Sequence, residues 1–215
     1  ILFSDLLFPL EALGMGLEYS PGPKLGWHLK TPEDLKKLQI PEPKNGSRAH
    51  FMEFQAESLR LIRRELTTEK GLIGFVGGPF TLFSYAVEGS HAGELTSVKT
   101  GIRDGRYEGF LKILLDLVAD NMILQARAGA DAVAVFDTCA GEVSPAVYAE
   151  YIVPGLRALL QKFKAVCPQT PVIYYSKNTD PAHWDALADL PFQCMGIDWR
   201  HPMDQALDQY GRARA

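Results

Sequence analysis

The chain has 215 residues, of which 47 % are hydrophobic, 22 % charged and 10 % aromatic, and 22 Lys and Arg against 26 Asp and Glu leave a net charge of −4. These values exclude wholesale disorder, suit one globular domain spanning 1–215, and give no general attraction for nucleic acid or an anionic membrane. No apolar run could span a bilayer, and no basic segment followed by an apolar core marks a signal peptide. Cys139, Cys167 and Cys194 lack CxxC spacing, so neither a disulfide framework nor a zinc knuckle is expected and a reducing, cytoplasmic compartment fits.

Ile1 to Phe3, ending at Ser4-Asp5, reads as a first buried strand. Glu18 to Asn45, rich in Pro, Gly and Lys, reads as a long excursion over a sheet rim. Arg48 to Leu66 has helical spacing, with Phe51, Phe54, Ile62 and Leu66 near one face and charges opposite. A second apolar run, Leu72 to Val76, ends at Gly77-Gly78-Pro79, and Tyr85 falls on the helix expected next. Tyr107 to Ala128 reads as a helix with Phe110, Leu114, Leu117, Val118 and Ile123 inward, stopped by Gly129. The run Ala132 to Phe136 ends at Asp137-Thr138. Val147 to Val166 follows as a helix carrying Tyr151, Leu159, Phe163 and Val166, with a kink or break at Pro154. Val172 to Tyr175 ends at Ser176-Lys177-Asn178. Asp180 is an N-cap candidate with Pro181 as first helical residue, and Cys194 to Ile197 ends at Asp198-Trp199.

Strands alternating with helices imply a parallel sheet with right-handed crossovers. Asp5, Gly77, Asp137, Ser176 and Asp198 should then lie on one rim, where parallel α/β folds collect their chemistry. Periodicity alone leaves an open sheet and a barrel with further strands as alternatives.

Each candidate has a bland and a functional reading. Asp5 is either a helix N-cap or a carboxylate held among Leu6, Leu7 and Phe8 to stabilise a cation. The glycines of Gly77-Gly78-Pro79-Phe80-Thr81 match neither nucleotide fingerprint, and read instead as room for close passage of backbone or a flat ligand. Tyr85 is a core tyrosine with its hydroxyl at the boundary, or a site residue. Asp137 and Thr138 cap a turn, or Thr138 binds a ligand carboxylate. Asp198 reads as structural, paired with backbone or a rim arginine. His28, His50, His91, His183 and His201 form no HxH, HExxH or HxC group, so no metal site is expected. No GxSxG elbow anchors a hydrolase triad.

Taken together, the strand ends resemble the uroporphyrinogen decarboxylase family. Phe3-Ser4-Asp5-Leu6-Leu7 with Glu11-Ala12-Leu13-Gly14-Met15 resembles the segment that carries the family's catalytic aspartate. Gly74 to Leu82, through Tyr85-Ala86-Val87-Glu88-Gly89, is similar to its next motif, and Ala128 to Asp131 with Val135 to Gly141 to the third. Pro171 to Tyr175 and Gly196 to Trp199 follow in order. The resemblance implies a (β/α)8 TIM barrel, with only about five of its eight strands falling within 1–215. It also implies cofactor-free decarboxylation of the four acetate arms of uroporphyrinogen III to give coproporphyrinogen III, in heme and tetrapyrrole biosynthesis, by a cytoplasmic homodimer. Asp5 takes the place of the aspartate that binds the pyrrole N–H groups and is the implied catalytic residue. Tyr85 and Thr138 take the places of a substrate-binding tyrosine and a substrate-binding Ser or Thr. The family's N-terminal arginine motif and C-terminal histidine have no counterpart in residues 1–215, and Phe80 stands where Trp is common. Lys177 and Arg200 are secondary candidates for meeting acidic arms. Two alternatives are a zinc-dependent methylcobamide:thiol methyltransferase of the same barrel superfamily and a non-catalytic tetrapyrrole-binding protein. The first needs a His-x-Cys group where this chain reads Tyr174-Tyr175-Ser176-Lys177.

Overall fold

The structure, a computed structural model, describes residues 4–90 and 93–211. The expected first strand, Ile1 to Phe3, lies outside the described residues, as does His91. In order, the chain forms helix α1 (Phe8–Ala12), a hairpin of β1 (Leu17–Tyr19) and β2 (Pro23–Leu25), helix α2 (Glu53–Glu65), strand β3 (Ile73–Gly77) and helices α3 (Pro79–Glu88), α4 (Thr96–Arg103) and α5 (Arg106–Arg127). Then come β4 (Ala132–Asp137), α6 (Pro145–Val147), a π turn over Tyr148–Ile152, α7 (Val153–Val166), β5 (Val172–Ser176), α8 (Pro181–Asp185), β6 (Cys194–Gly196) and α9 (Met203–Ala206).

β3, β4, β5 and β6 form one parallel sheet in chain order. Gly77 pairs with Phe136 and Asp137 with Ser176, which sets these strand ends along one rim as expected. The fold is of the (β/α)8 class, and the described strands form an open part of its wall. One face of the sheet is sealed by helices: Val133, Val135, Val172 and Tyr174 are buried under the layer that holds Phe110, Leu114, Leu117, Leu159 and Phe163. The other carries an aromatic row, with Phe75 and Phe136 centred 5.7 Å apart and Phe136 and Tyr175 5.8 Å apart.

Several local signals behave as their chemistry requires. Asp180 accepts from the backbone N–H groups of Ala182 and His183, and Pro181 opens α8. Gly129, at φ +106°, follows the last turn of α5 in a conformation that a Cβ disfavours. The π turn ends just before Pro154, so the expected interruption is one widened turn between α6 and α7.

Three expectations need correction. Phe51, Phe54 and Ile62 are exposed, and α2 instead buries Gln55, Ala56 and Leu59. The reason is the neighbour: Ala56 and Leu59 pack with Leu72, Ala128 and Ala130, and Gln55 meets Gln125 and Ser4. Bulk on the opposite face of the helix misled the spacing argument. Tyr151 and Val166 are likewise exposed. The segment from Glu18 onward is not simply an excursion, because Ser20-Pro21-Gly22 closes the β1–β2 hairpin.

Candidate active site

The pocket lies over the aromatic row and encloses about 770 Å³; Ser4, Asp5, Leu6, Leu7, Phe8, Tyr19, Pro23, Phe54, Phe75, Tyr85, Phe136 and Thr138 line it. All three residues singled out from the sequence, Asp5, Tyr85 and Thr138, therefore meet in one cavity. Among the described residues that line it there is no Lys, Arg or His.

Asp5 is half-buried, and its Oδ1 accepts the Leu7 N–H at 2.7 Å. That bond holds the carboxylate over the turn into α1, but Asp5 is not the helix N-cap: Leu7 occupies that position. Tyr85 reaches the pocket from the second turn of α3, and burial, followed by the charges of Cys139 and Asp5, raises its hydroxyl above the ordinary tyrosine value. It therefore stays a neutral O–H beside an anion. Thr138 follows directly on the last residue of β4. Phe54 packs edge-on against Phe8 at 4.8 Å, so the apolar face of α2 that the sequence assigned to the core partly walls the pocket.

Sequence reasoning missed Tyr19. The hairpin carries it to the pocket wall, where burial, then the charge and hydrogen-bonding reach of Asp5, then Glu11 push its hydroxyl up to about 12. The visible signal was the Pro-Gly turn two residues further on, which predicts a chain reversal but not where it lands.

Asp137 is not a cap for its own turn. It is the fully buried last residue of β4, and its Oδ1 accepts the Thr81 N–H at 2.8 Å in the first turn of α3. Thr81 Oγ1 in turn accepts the Cys139 N–H at 3.0 Å, so the two residues clamp the loop that presents Thr138. Gly78 makes room for this clamp: a Cβ there would lie 2.4 Å from the Asp137 side chain. The glycine thus admits a protein carboxylate rather than a flat ligand. Asp137 Oδ2 and the Tyr107 hydroxyl are buried without a hydrogen-bond partner among the described residues. The hydroxyls of Tyr148 and Tyr174 pair at 2.8 Å, with Tyr174 beside the carboxyl. Burial pushes the Asp137 carboxyl up to about 6, against the opposing effect of Thr81 and of the neighbouring Tyr174 hydroxyl.

Asp198 behaves as a structural residue. Its carboxylate accepts from Arg200 Nε and from the Asn178 and Arg200 backbone N–H groups, and the Arg200 guanidinium holds its pKa down to about 2. Arg200 also donates to the Thr179 carbonyl at 2.8 Å, so it is committed to the β5 and β6 loops and does not line the pocket. Lys177 is exposed and likewise outside the pocket lining. Among the described residues no three His, Cys, Asp or Glu side chains are grouped as metal ligands.

The family model for uroporphyrinogen decarboxylase (URO-D) matches residues 1–215. The chain is 37 % identical over 220 residues to a uroporphyrinogen decarboxylase of Chloroflexus aurantiacus, covering 98 % of this chain and 59 % of that one. It is 36 % identical over 219 residues to that of Syntrophotalea carbinolica, covering 100 % and 61 %, and 33 % identical over 203 residues to that of Dictyostelium discoideum, covering 93 % and 55 %. The chain belongs to the uroporphyrinogen decarboxylase family, and spans about three-fifths of the length of these relatives. Among solved structures, a methyltransferase from Methanosarcina mazei superposes with a TM-score of 0.78 at 18 % identity, covering 100 % of this chain and 61 % of the other, which is a likeness of fold.

Proposed function

We propose that the chain acts in the cofactor-free decarboxylation of uroporphyrinogen III to coproporphyrinogen III, with Asp5 as the catalytic residue and Tyr85 and Thr138 as substrate-binding residues. The observation that carries this reading is a pocket in which Asp5, the one carboxylate among the described lining residues, is set among aromatic and aliphatic walls with Tyr85 and Thr138. Each acetate arm must break its C–CO2− bond and gain a proton, leaving a methyl group and CO2. The bond breaks only if the pyrrole accepts the electron pair. Protonation of a ring carbon creates that sink, a cation shared with the pyrrole N–H. A carboxylate beside the N–H stabilises the cation, the more so where apolar walls exclude water. Asp5 supplies the charge, and Phe75 and Phe136, packed edge to face in the pocket wall, offer an aromatic contact for a macrocycle. We read 1–215 as part of one barrel domain. A cytoplasmic homodimer belongs to this reading through the resemblance alone; among the described residues, no helix is long and apolar enough to cross a membrane.

The test is anaerobic incubation of the full-length protein with uroporphyrinogen III and a metal chelator, followed by chromatography of the oxidised products. Coproporphyrin is the expected product. Methyl transfer from a methylcobamide to a thiol, abolished by the chelator, would replace this reading with the methyltransferase. Tight porphyrinogen binding without turnover would replace it with a binding protein. Tyr85→Phe and Thr138→Val each delete one hydroxyl, so each is expected to weaken transition-state binding by roughly 0.5–1.5 kcal/mol, read as kcat/KM. Wild-type kinetics in both variants would make these residues packing.

A further inference from the structure

The β1–β2 hairpin brings a residue of uncommon placement to the pocket. Leu17 pairs with Leu25, Glu18 with Lys24 and Tyr19 with Pro23. The two-residue period of a strand puts Leu17, Tyr19, Pro23 and Leu25 on one face. Leu17 and Leu25 pack on the core at one end of that face, whereas Tyr19 and Pro23 line the Asp5 pocket at the other. The hairpin is pinned below them. The Leu17 N–H meets the Glu11 carboxylate, Gly26 N–H donates to Gly16 O at 2.7 Å, and Trp27 Nε1 donates to Gly14 O at 2.9 Å. Tyr19 is thus held on a braced arm rather than a loose loop. At 54 % exposed it contributes little to packing, and it stands in the wall of the same pocket as Asp5.

We propose that Tyr19 is a positioning residue for Asp5: its hydroxyl donates to the Asp5 carboxylate when substrate fills the pocket, and fixes the carboxylate plane toward the pyrrole N–H groups. This inference rests on the reading of Asp5 given above. A carboxylate on a single χ1–χ2 stem, tied at one oxygen by the Leu7 N–H, can still rotate about that tie. A second donor from an independent element removes this freedom, and orientation of the charge is what an electrostatic group must supply. Tyr85 enters the same pocket from α3, so two tyrosines carried by different elements share it with Asp5.

A double-mutant cycle tests this in the full-length protein with uroporphyrinogen III as substrate. Tyr19→Phe keeps the ring and removes the hydroxyl. It is expected to lower kcat about three- to thirty-fold with KM within about twofold, as for an interaction that matters in the transition state. In the Asp5→Asn background the same change is expected to have no further effect, because the anion it positions is gone. Thermal melts followed by circular dichroism should be unchanged by Tyr19→Phe. An impaired Asp5→Asn with a fully active Tyr19→Phe, or two losses that simply multiply, overturns the role of Tyr19 while leaving that of Asp5 intact. A fully active Asp5→Asn overturns both.

Discussion

Asp5→Asn is expected to lower the decarboxylation rate at saturating uroporphyrinogen by about 100- to 1000-fold, the usual loss for a preorganised electrostatic group. The substitution preserves shape. An asparagine Oδ1 can still accept the Leu7 N–H that Asp5 Oδ1 accepts at 2.7 Å, so the turn into α1 survives. What is lost is the charge, and the new amide N–H points toward pyrrole N–H groups that need an acceptor. Asp5→Glu keeps the charge but displaces it by one methylene in a pocket lined by Leu7, Tyr85 and Tyr19, and should retain more activity than Asn. Circular dichroism provides the folding control. A folded Asn variant working at near wild-type rate would reduce Asp5 to a turn residue.

The second large effect concerns stability and pH at Asp137. Its carboxyl is fully buried and pushed up to about 6 from an ordinary value near 4. A raised pKa means that the folded state holds the proton more tightly than the unfolded chain. The stabilisation is therefore fully present below the unfolded value and lost as pH rises through about 6. Two pKa units correspond to about 3 kcal/mol. Asp137→Asn removes the ionisation while keeping an oxygen for the Thr81 N–H, and adds a donor for the Tyr107 or Tyr174 hydroxyl. Urea unfolding should therefore show the Asn variant gaining on the wild type by up to about 3 kcal/mol between pH 4 and pH 7.5. A gap independent of pH would mean that the carboxyl titrates normally, in conflict with its enclosure by Gly78, Thr81 and Tyr174.

Much of this was legible in the sequence because strong local signals agreed with the tertiary structure. The runs at Leu72, Ala132 and Val172 are buried on at least one side, the Cys194 run is half-exposed, all four end at polar or glycine-rich turns, and they form the sheet within a residue or two of their expected bounds. Asp180-Pro181 and Gly129 act through backbone chemistry that needs no distant partner. What failed depended on partners remote in sequence. The inward face of α2 is set by small residues at Ala128 and Ala130, about seventy positions on, and favours Ala56 over Phe54. Asp137 could be recognised as a strand-end acid, but its partner Thr81 lies 56 residues earlier. Tyr19 joins Asp5 only because a three-residue hairpin folds back, and strands so short carry too few residues for a period to show. The motif residues Asp5, Tyr85 and Thr138 were found through their resemblance to a family pattern, and their convergence on one pocket is a property of the fold.

The role of Asp5 in holding the ring is tested most directly by a crystal structure of the full-length protein grown anaerobically with coproporphyrinogen. Pyrrole N–H groups should lie within hydrogen-bond range, about 2.7–3.2 Å, of the Asp5 carboxylate, with the macrocycle against Phe75 and Phe136. A macrocycle bound elsewhere on the rim, or one that turns its acidic arms rather than its N–H groups toward Asp5, would contradict the proposed role of this carboxylate.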